Sequence, residues 1–259
     1  MKPHFAKLDH APAYKVLSEA IACEILEGRI RPGEQLPTEH GLAEQFGVNR
    51  STVREGTRLL EETGMVRREG GKRLVVARPS YDALANHMGR AMVLHEVTFR
   101  ELWEAMMAIE PATAELAARN LEPEIAEQLR ENLRRTEATL IAGQSVVVLD
   151  IEFHALVARA ASNRALLMAR EPLGLLFYPA FEAVLSTVST AGKRLLTAHK
   201  TIFDALNAGD AAKARDWMEK HIVDFKRGYE VAGLDMDQTV RSSPDSVAVV
   251  RDRNRSETG

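Results

Sequence analysis

Four side chains in the second half of the chain could hold a metal. Asp150 and His154 stand four residues apart in Leu149-Asp150-Ile151-Glu152-Phe153-His154. On a helix that spacing sets a carboxylate and an imidazole one turn apart on one face. His199 and His221 lie in two further stretches of helical periodicity, each beside aliphatic residues. Three neutral imidazoles and one carboxylate on facing helices make a donor set for a divalent transition metal, with positions left open for water or a ligand. Spacing alone leaves two readings open, that centre or separate histidines that are packed or solvated. His4, His10, His87 and His95 have no partner at useful spacing. A second group is Arg50, Arg54 and Arg58, which repeat every four residues while Val53, Leu59 and Leu60 hold another side of the same stretch to a core. Guanidinium groups so arrayed suit phosphates and base edges of DNA, with a solvated charged face as the plainer reading.

The elements that must position these groups can be read in order. Met1 to Ala11 lacks periodicity and reads as a mobile arm. After Pro12, apolar positions 14, 17, 21 and 25 predict a first helix that stops at Gly28. Leu36 to Phe46 is a short amphipathic helix, Gly47 a sharp turn and Asn49 a cap for the arginine-bearing helix. Two short helices across such a turn make a helix-turn-helix, whose second member can enter a major groove. Gly64 ends that helix, and residues 65–69, Gly70-Gly71 and 72–76 read as strand, tight turn, strand, a basic wing.

From Tyr81 the pattern changes to long helices, expected at about 81–93, 98–119, 122–142, 145–161, 164–187, 192–208 and 211–232. Pro172 and Pro179 should kink or break the fifth of these. The expected fold is mainly α, an N-terminal winged helix-turn-helix domain followed by an all-α antiparallel helical bundle. The boundaries predicted are 1–78 for the DNA-binding domain, 79–85 for a linker, 86–232 for an effector- and metal-binding domain and 233–259 for a disordered tail.

The net charge of -3 over 259 residues is unlike that of a nucleic-acid binder until it is divided along the chain. Residues 49–78 hold 8 Lys and Arg against 4 Asp and Glu, so positive charge gathers on the recognition helix and wing. The single cysteine, Cys23, excludes an intramolecular disulfide and lies near the first helix's packing stripe, where it reads as a structural thiol. No N-terminal apolar run resembles a signal peptide or a membrane span, so a cytoplasmic protein with no membrane partner is expected.

The strings Ile30-Arg31-Pro32-Gly33-Glu34-Gln35-Leu36-Pro37-Thr38-Glu39, Leu42-Ala43 and Phe46-Gly47-Val48-Asn49-Arg50-Ser51-Thr52-Val53-Arg54-Glu55, with the Gly70-Gly71 turn, resemble the DNA-binding domain of GntR-type transcription regulators over residues 14–77. The resemblance implies DNA contacts by Arg50, Ser51, Thr52, Arg54 and Arg58 and by Gly71 and Lys72 of the wing. It departs at His40, where that family usually carries an arginine that touches DNA.

Farther on, Asp150-x-x-Phe153-His154, Ala161-x-Asn163, His199-x-x-Ile202-x-x-Ala205-x-x-x-Gly209-Asp210 and Met218-x-x-His221 are similar to the FCD ligand-binding domain of the FadR subfamily, over about 86–230. That resemblance implies a metal on Asp150, His154, His199 and His221, with zinc the first candidate and nickel or manganese next. It also implies a homodimer formed through the bundle. The function expected is a metabolite-responsive repressor that binds a palindromic operator in double-stranded DNA and is controlled by a small-molecule effector. Met106 and Asn163 are assigned to the effector pocket. Met106 is a second departure, because the family usually places there an arginine that helps hold carboxylate effectors. Its loss predicts a larger, more apolar effector, unless Arg100 or Arg159 supplies the charge. The alternative is a metal-dependent enzyme with Glu152 as base. Glu152 is offset by two residues from both Asp150 and His154 and so faces elsewhere, which sets that alternative second. A non-specific architectural DNA binder would have no use for the metal set.

Overall fold

Apolar periodicity and caps account for each element of the computed structural model, which describes residues 11–241. The chain divides into two units, Met1–Ala83 and Leu84–Gly259. In the first, α1 (Ala13–Leu26) buries Leu17, Ser18 and Ile21. The Thr38 hydroxyl accepts from the Gly41 N–H at 3.1 Å to cap α2 (Glu39–Phe46), and Asn49 Oδ1 accepts from the Thr52 N–H at 2.8 Å to cap α3 (Arg50–Glu62). The strands β1 (Val66–Glu69) and β2 (Arg73–Val76) pair antiparallel with Val66 opposite Val76 and Glu69 opposite Arg73. Gly70 and Gly71 both have positive φ, 56° and 76°, the backbone that a tight hairpin turn demands. One core joins these elements through Leu17, Ile21, Leu42, Val53, Leu60, Val66 and Val76. At Gly56 of α3 an added Cβ would stand 2.7 Å from Leu17 Cδ2 and 2.8 Å from the Tyr14 carbonyl oxygen, so glycine is what lets α3 lie so close to α1.

The second unit is helical. It comprises α4 (Tyr81–Leu94, its first turn on the other side of the division), α5 (Phe99–Asn120), α6 (Pro123–Ile141), α7 (Val147–Ala160), α8 (Arg164–Thr187), α9 (Ala191–Asn207) and α10 (Ala211–Val231). Thr98 and Glu101 form a reciprocal capping box at the start of α5. α5 packs along α10 and also meets α7, α8 and α9. α7 is mostly apolar and is buried along most of its length, and of its polar members Asp150 and His154 face neighbouring helices. The core runs through Phe99, Leu102, Leu129, Phe153, Ile202, Leu206 and Met218. No single described helix is long and apolar enough to cross a membrane.

Several expectations are corrected. The proposed linker 79–85 is helical from Tyr81 onward. Of the kink or break expected at Pro172 and Pro179, the break is absent: α8 continues through both, with Leu173, Leu175, Leu176 and Phe181 buried near them. Cys23 is exposed, and its thiol donates to Glu27 Oε1 at 3.3 Å. The segment 233–259 was expected to be disordered, yet 234–241 lies on the start of α5. Met236 and Val240 are buried there, and the Arg100 and Phe99 N–H groups donate to the Met236 and Gln238 carbonyls at 2.8 and 3.0 Å. Its polar composition hides two apolar anchors four residues apart. The arm at 1–10 and the rest of the tail, 242–259, lie outside the described residues.

Candidate functional site

Three helices bring the four metal candidates together: Asp150 and His154 from α7, His199 from α9 and His221 from α10. One ligand atom from each falls within 4.8 Å of all the others. The Nε2 of His221 is 3.2 Å from that of His154 and 3.3 Å from that of His199, while Asp150 Oδ1 is 3.3 Å from His199 Nε2 and 3.8 Å from His154 Nε2. Donors bound at about 2.0–2.1 Å to one tetrahedral ion stand roughly 3.3 Å apart, which three of these pairs match, while Asp150 Oδ1 stands farther from His154 Nε2, at 3.8 Å, and from His221 Nε2, at 4.0 Å. Asp150 Oδ1 is buried with no hydrogen-bond partner among the described residues, as suits an oxygen that binds an ion. Stacking on Phe153, with ring centroids 3.8 Å apart, fixes the His199 ring.

Behind this set stands Glu110 of α5, fully buried. Its Oε2 lies 3.2 Å from His154 Nδ1, and its Oε1 accepts from Arg170 Nε at 2.8 Å. With the Nδ1 proton directed to Glu110, the Nε2 lone pair of His154 faces the centre. Burial pushes the Glu110 carboxyl up, but the charges of His154 and Arg170 outweigh it and hold it at about 2. Asp150 is likewise held at about 2, burial being outweighed by His154, His199 and His221. Burial pushes His199 down, and burial with the neighbouring imidazoles pushes His221 well down, so both keep their lone pairs. His154 moves up because Glu110 and Asp150 overcome its burial.

A cavity of about 40 Å³ adjoins the set, touching Asp150, His154 and His221. Met106 is buried in its wall. Asn163 is not: it caps α8, accepting from the Ala165 and Leu166 N–H groups at 3.1 and 3.2 Å, which corrects its assignment to the pocket. Nor does the pocket lack a cation. Arg100 is held outside by Asp237 at 2.7 Å, and the exposed Arg159 reaches Gln128 at 3.4 Å, but Arg170 of α8 enters the wall. Sequence reasoning missed Arg170 and the role of Glu110. The available signal was a charged pair, Arg170-Glu171, set inside the apolar run from Leu166 to Leu176. Glu152 faces away and pairs with Arg135 at 3.0 Å.

In the first unit, α3 presents Arg50 and Arg54 exposed, with no side-chain partner among the described residues. Arg58 is engaged by Glu62 at 2.6 Å and by Glu55 at 3.5 Å. The hydroxyls of Ser51 and Thr52 donate to the cap oxygen of Asn49 at 2.6 and 3.0 Å. His40 faces Glu44 at 3.4 Å, and Gly71 and Lys72 are exposed at the hairpin turn. Arg68 ties the wing to both helices through Glu39 at 3.3 Å and Glu61 at 2.9 Å.

Comparison with known proteins agrees with both halves. Residues 13–76 match the gntR family of bacterial regulatory proteins, and residues 101–224 match the FCD domain. The chain is similar to the HTH-type transcriptional regulator Mce2R of Mycobacterium tuberculosis, 32% identical over 203 residues, which cover 76% of this chain and 83% of that protein. It is 30% identical over 159 residues to the HTH-type transcriptional repressor NanR of Cronobacter sakazakii, covering 58% and 61%. Among solved structures, Streptococcus agalactiae GntR aligns with a TM-score of 0.60 at 25% identity, over 83% of this chain and 99% of that one. The family and these relatives are transcription regulators rather than enzymes. This chain belongs to the GntR family of bacterial regulatory proteins, in the FadR-like group that joins a winged helix-turn-helix to an FCD domain.

Proposed function

We propose that this regulator is a repressor whose operator binding is controlled by a small molecule at the metal-containing pocket of its bundle. The observation that carries the reading is the convergence of three imidazole nitrogens and an otherwise orphaned carboxylate oxygen beside a cavity. Asp150, His154, His199 and His221 would hold the ion. Its mostly nitrogen donor set suits zinc first, with nickel or manganese as the other candidates. When bound, such an ion offers a Lewis-acid position to an effector oxygen. Arg50 and Arg54 have no side-chain partner among the described residues and supply the DNA contacts of the recognition helix, with Lys72 and the Gly71 turn at the wing. The relative NanR is a transcriptional repressor by name, which supports repression. We take the active form to be a cytoplasmic homodimer, which matches a two-fold operator.

Metal analysis and operator titration of the purified full-length protein test this together. The wild type should hold close to one ion per chain, and His199→Ala or His221→Ala should lose it and melt at lower temperature, because an ion bound only by the folded state stabilises it. Equal, substoichiometric metal in wild type and both variants refutes the centre.

A further inference from the structure

The three imidazoles of the candidate centre are buried, His199 completely, so an ion needs a way in. Three cavities in succession supply one. The outermost is an open groove of about 650 Å³ between α9 and α10. Behind it lies a hollow of about 20 Å³, and behind that the cavity of about 40 Å³ that touches Asp150, His154 and His221. Arg194, His221 and Asp224 border both the groove and the hollow, while Phe181, His221 and Phe225 border both the hollow and the inner cavity. Of the four candidate ligands, His221 alone borders all three.

The two boundaries differ in kind. The inner one is aromatic, with the Phe181 and Phe225 ring centroids 5.0 Å apart. The outer one is ionic: Arg194 Nε reaches from α9 to donate to Asp224 Oδ2 of α10 at 2.9 Å, and its Nη1 donates to Thr190 Oγ1 at 3.2 Å. The two charged side chains are 40% and 36% exposed, so the pair is held weakly and water can take either partner. Closed, it sets a guanidinium in the path, and an approaching cation meets like charge. With Arg194 turned out to solvent that charge leaves, and the Asp224 carboxylate becomes an oxygen donor three residues from His221, on the same face of α10. The rest of the groove is nearly balanced, Lys193, Lys220 and Arg227 standing against Asp216 and Glu219, so the pair decides what a cation feels. A hollow of about 20 Å³ holds about one water-sized group. What passes it is an ion stripped of most of its water, not an organic molecule.

We infer that Arg194 and Asp224 gate the entry of the metal ion from the α9–α10 groove, Asp224 meeting the ion first and His221 taking it over. This rests on the reading of Asp150, His154, His199 and His221 as a metal centre.

A gate changes how fast an ion arrives and departs without changing how tightly it is held. Uptake of cobalt(II) by metal-free full-length protein, followed by visible absorption, gives one rate, and removal of the bound ion by EDTA gives the other. In Arg194→Ala both should rise about two- to fivefold, the factor by which loss of a half-exposed ion pair enlarges the open population, with cobalt affinity and stoichiometry unchanged. Asp224→Asn also frees the gate but removes the carboxylate, so its uptake should be slower than that of Arg194→Ala. Arg215→Ala, which breaks the exposed pair of α10 with Glu115 at 3.0 Å, should alter neither rate. Faster removal with lower affinity in Arg194→Ala marks a structural role and overturns the gate, as does the same acceleration in Arg215→Ala. Uptake by Asp224→Asn as fast as that by Arg194→Ala overturns the part given to the carboxylate. If Arg194→Ala does not fold, Arg194→Gln carries the same expectation. A wild type that takes up no cobalt refutes the centre and the route with it, whereas normal uptake with both rates unmoved in Arg194→Ala refutes the route alone.

Discussion

Arg54 and Arg58 are one turn apart on the same helix, yet their surroundings give them different duties. Arg54 has no partner among the described residues and can give its whole fork to DNA, whereas Arg58 is claimed by Glu62 and Glu55. Arg54→Ala should weaken operator binding by roughly 1–3 kcal/mol and relax selectivity at one base position, as expected for a base-reading arginine. Arg58→Ala should do less. Fluorescence anisotropy with the operator and single-base variants at fixed salt checks this, and equal losses from the two substitutions would contradict the assignment. At this scale Asp150 and His154 were legible because their spacing of four survives folding as a shared helix face. Glu110 and Arg170 were not: they lie 60 residues apart, and nothing local says that a carboxylate on α5 and a guanidinium on α8 are buried together.

At the scale of the element, the positions that matter are those where two backbones meet. Alanine is favoured over glycine inside a helix by about 1 kcal/mol, so Gly56→Ala would stabilise an isolated α3. In the folded unit the new methyl group would meet the Tyr14 carbonyl oxygen at 2.8 Å, and backbone cannot swing aside as the far end of a side chain can. Overpacking of this kind costs roughly 1–3 kcal/mol and should win. Gly56→Ala should therefore lower the unfolding midpoint of the winged helix in urea, and a raised midpoint would show that α1 moves away without penalty. Helices and wing were readable from caps, glycines and apolar periodicity, and most ends fall within a few residues of expectation. The readings that failed were of another kind. Proline predicted a kink or a break in α8, and the break does not occur: the helix continues past both prolines, with Leu173, Leu175 and Leu176 buried between them.

At the scale of the whole molecule, each unit has its own hydrophobic core, so their stabilities can be changed one at a time. The segment after α10 offers the means. Residues 234–241 return to the start of α5, where Thr98 bridges to Thr239 and the Val240 N–H donates to the Val97 carbonyl at 2.8 Å. This closes the beginning of the bundle onto its end, around stacked Phe99 and Tyr229 with ring centroids 3.8 Å apart. Burial of Met236 and Val240 should contribute on the order of 1.5–3 kcal/mol each as an upper bound, since the unfolded chain already hides part of that surface. The exposed pair of Arg100 and Asp237 should add little by comparison. A chain ended after Gly233 should then unfold its bundle at lower temperature than one ended after Arg241, by roughly 2–5 kcal/mol in stability, while the winged-helix transition stays where it was. Asp237→Ala in the full chain should leave both transitions nearly in place. Calorimetry of the three proteins decides between a packed clasp and a segment that merely lies on the surface: coincident bundle transitions for the two truncations would show that Met236 and Val240 hold nothing.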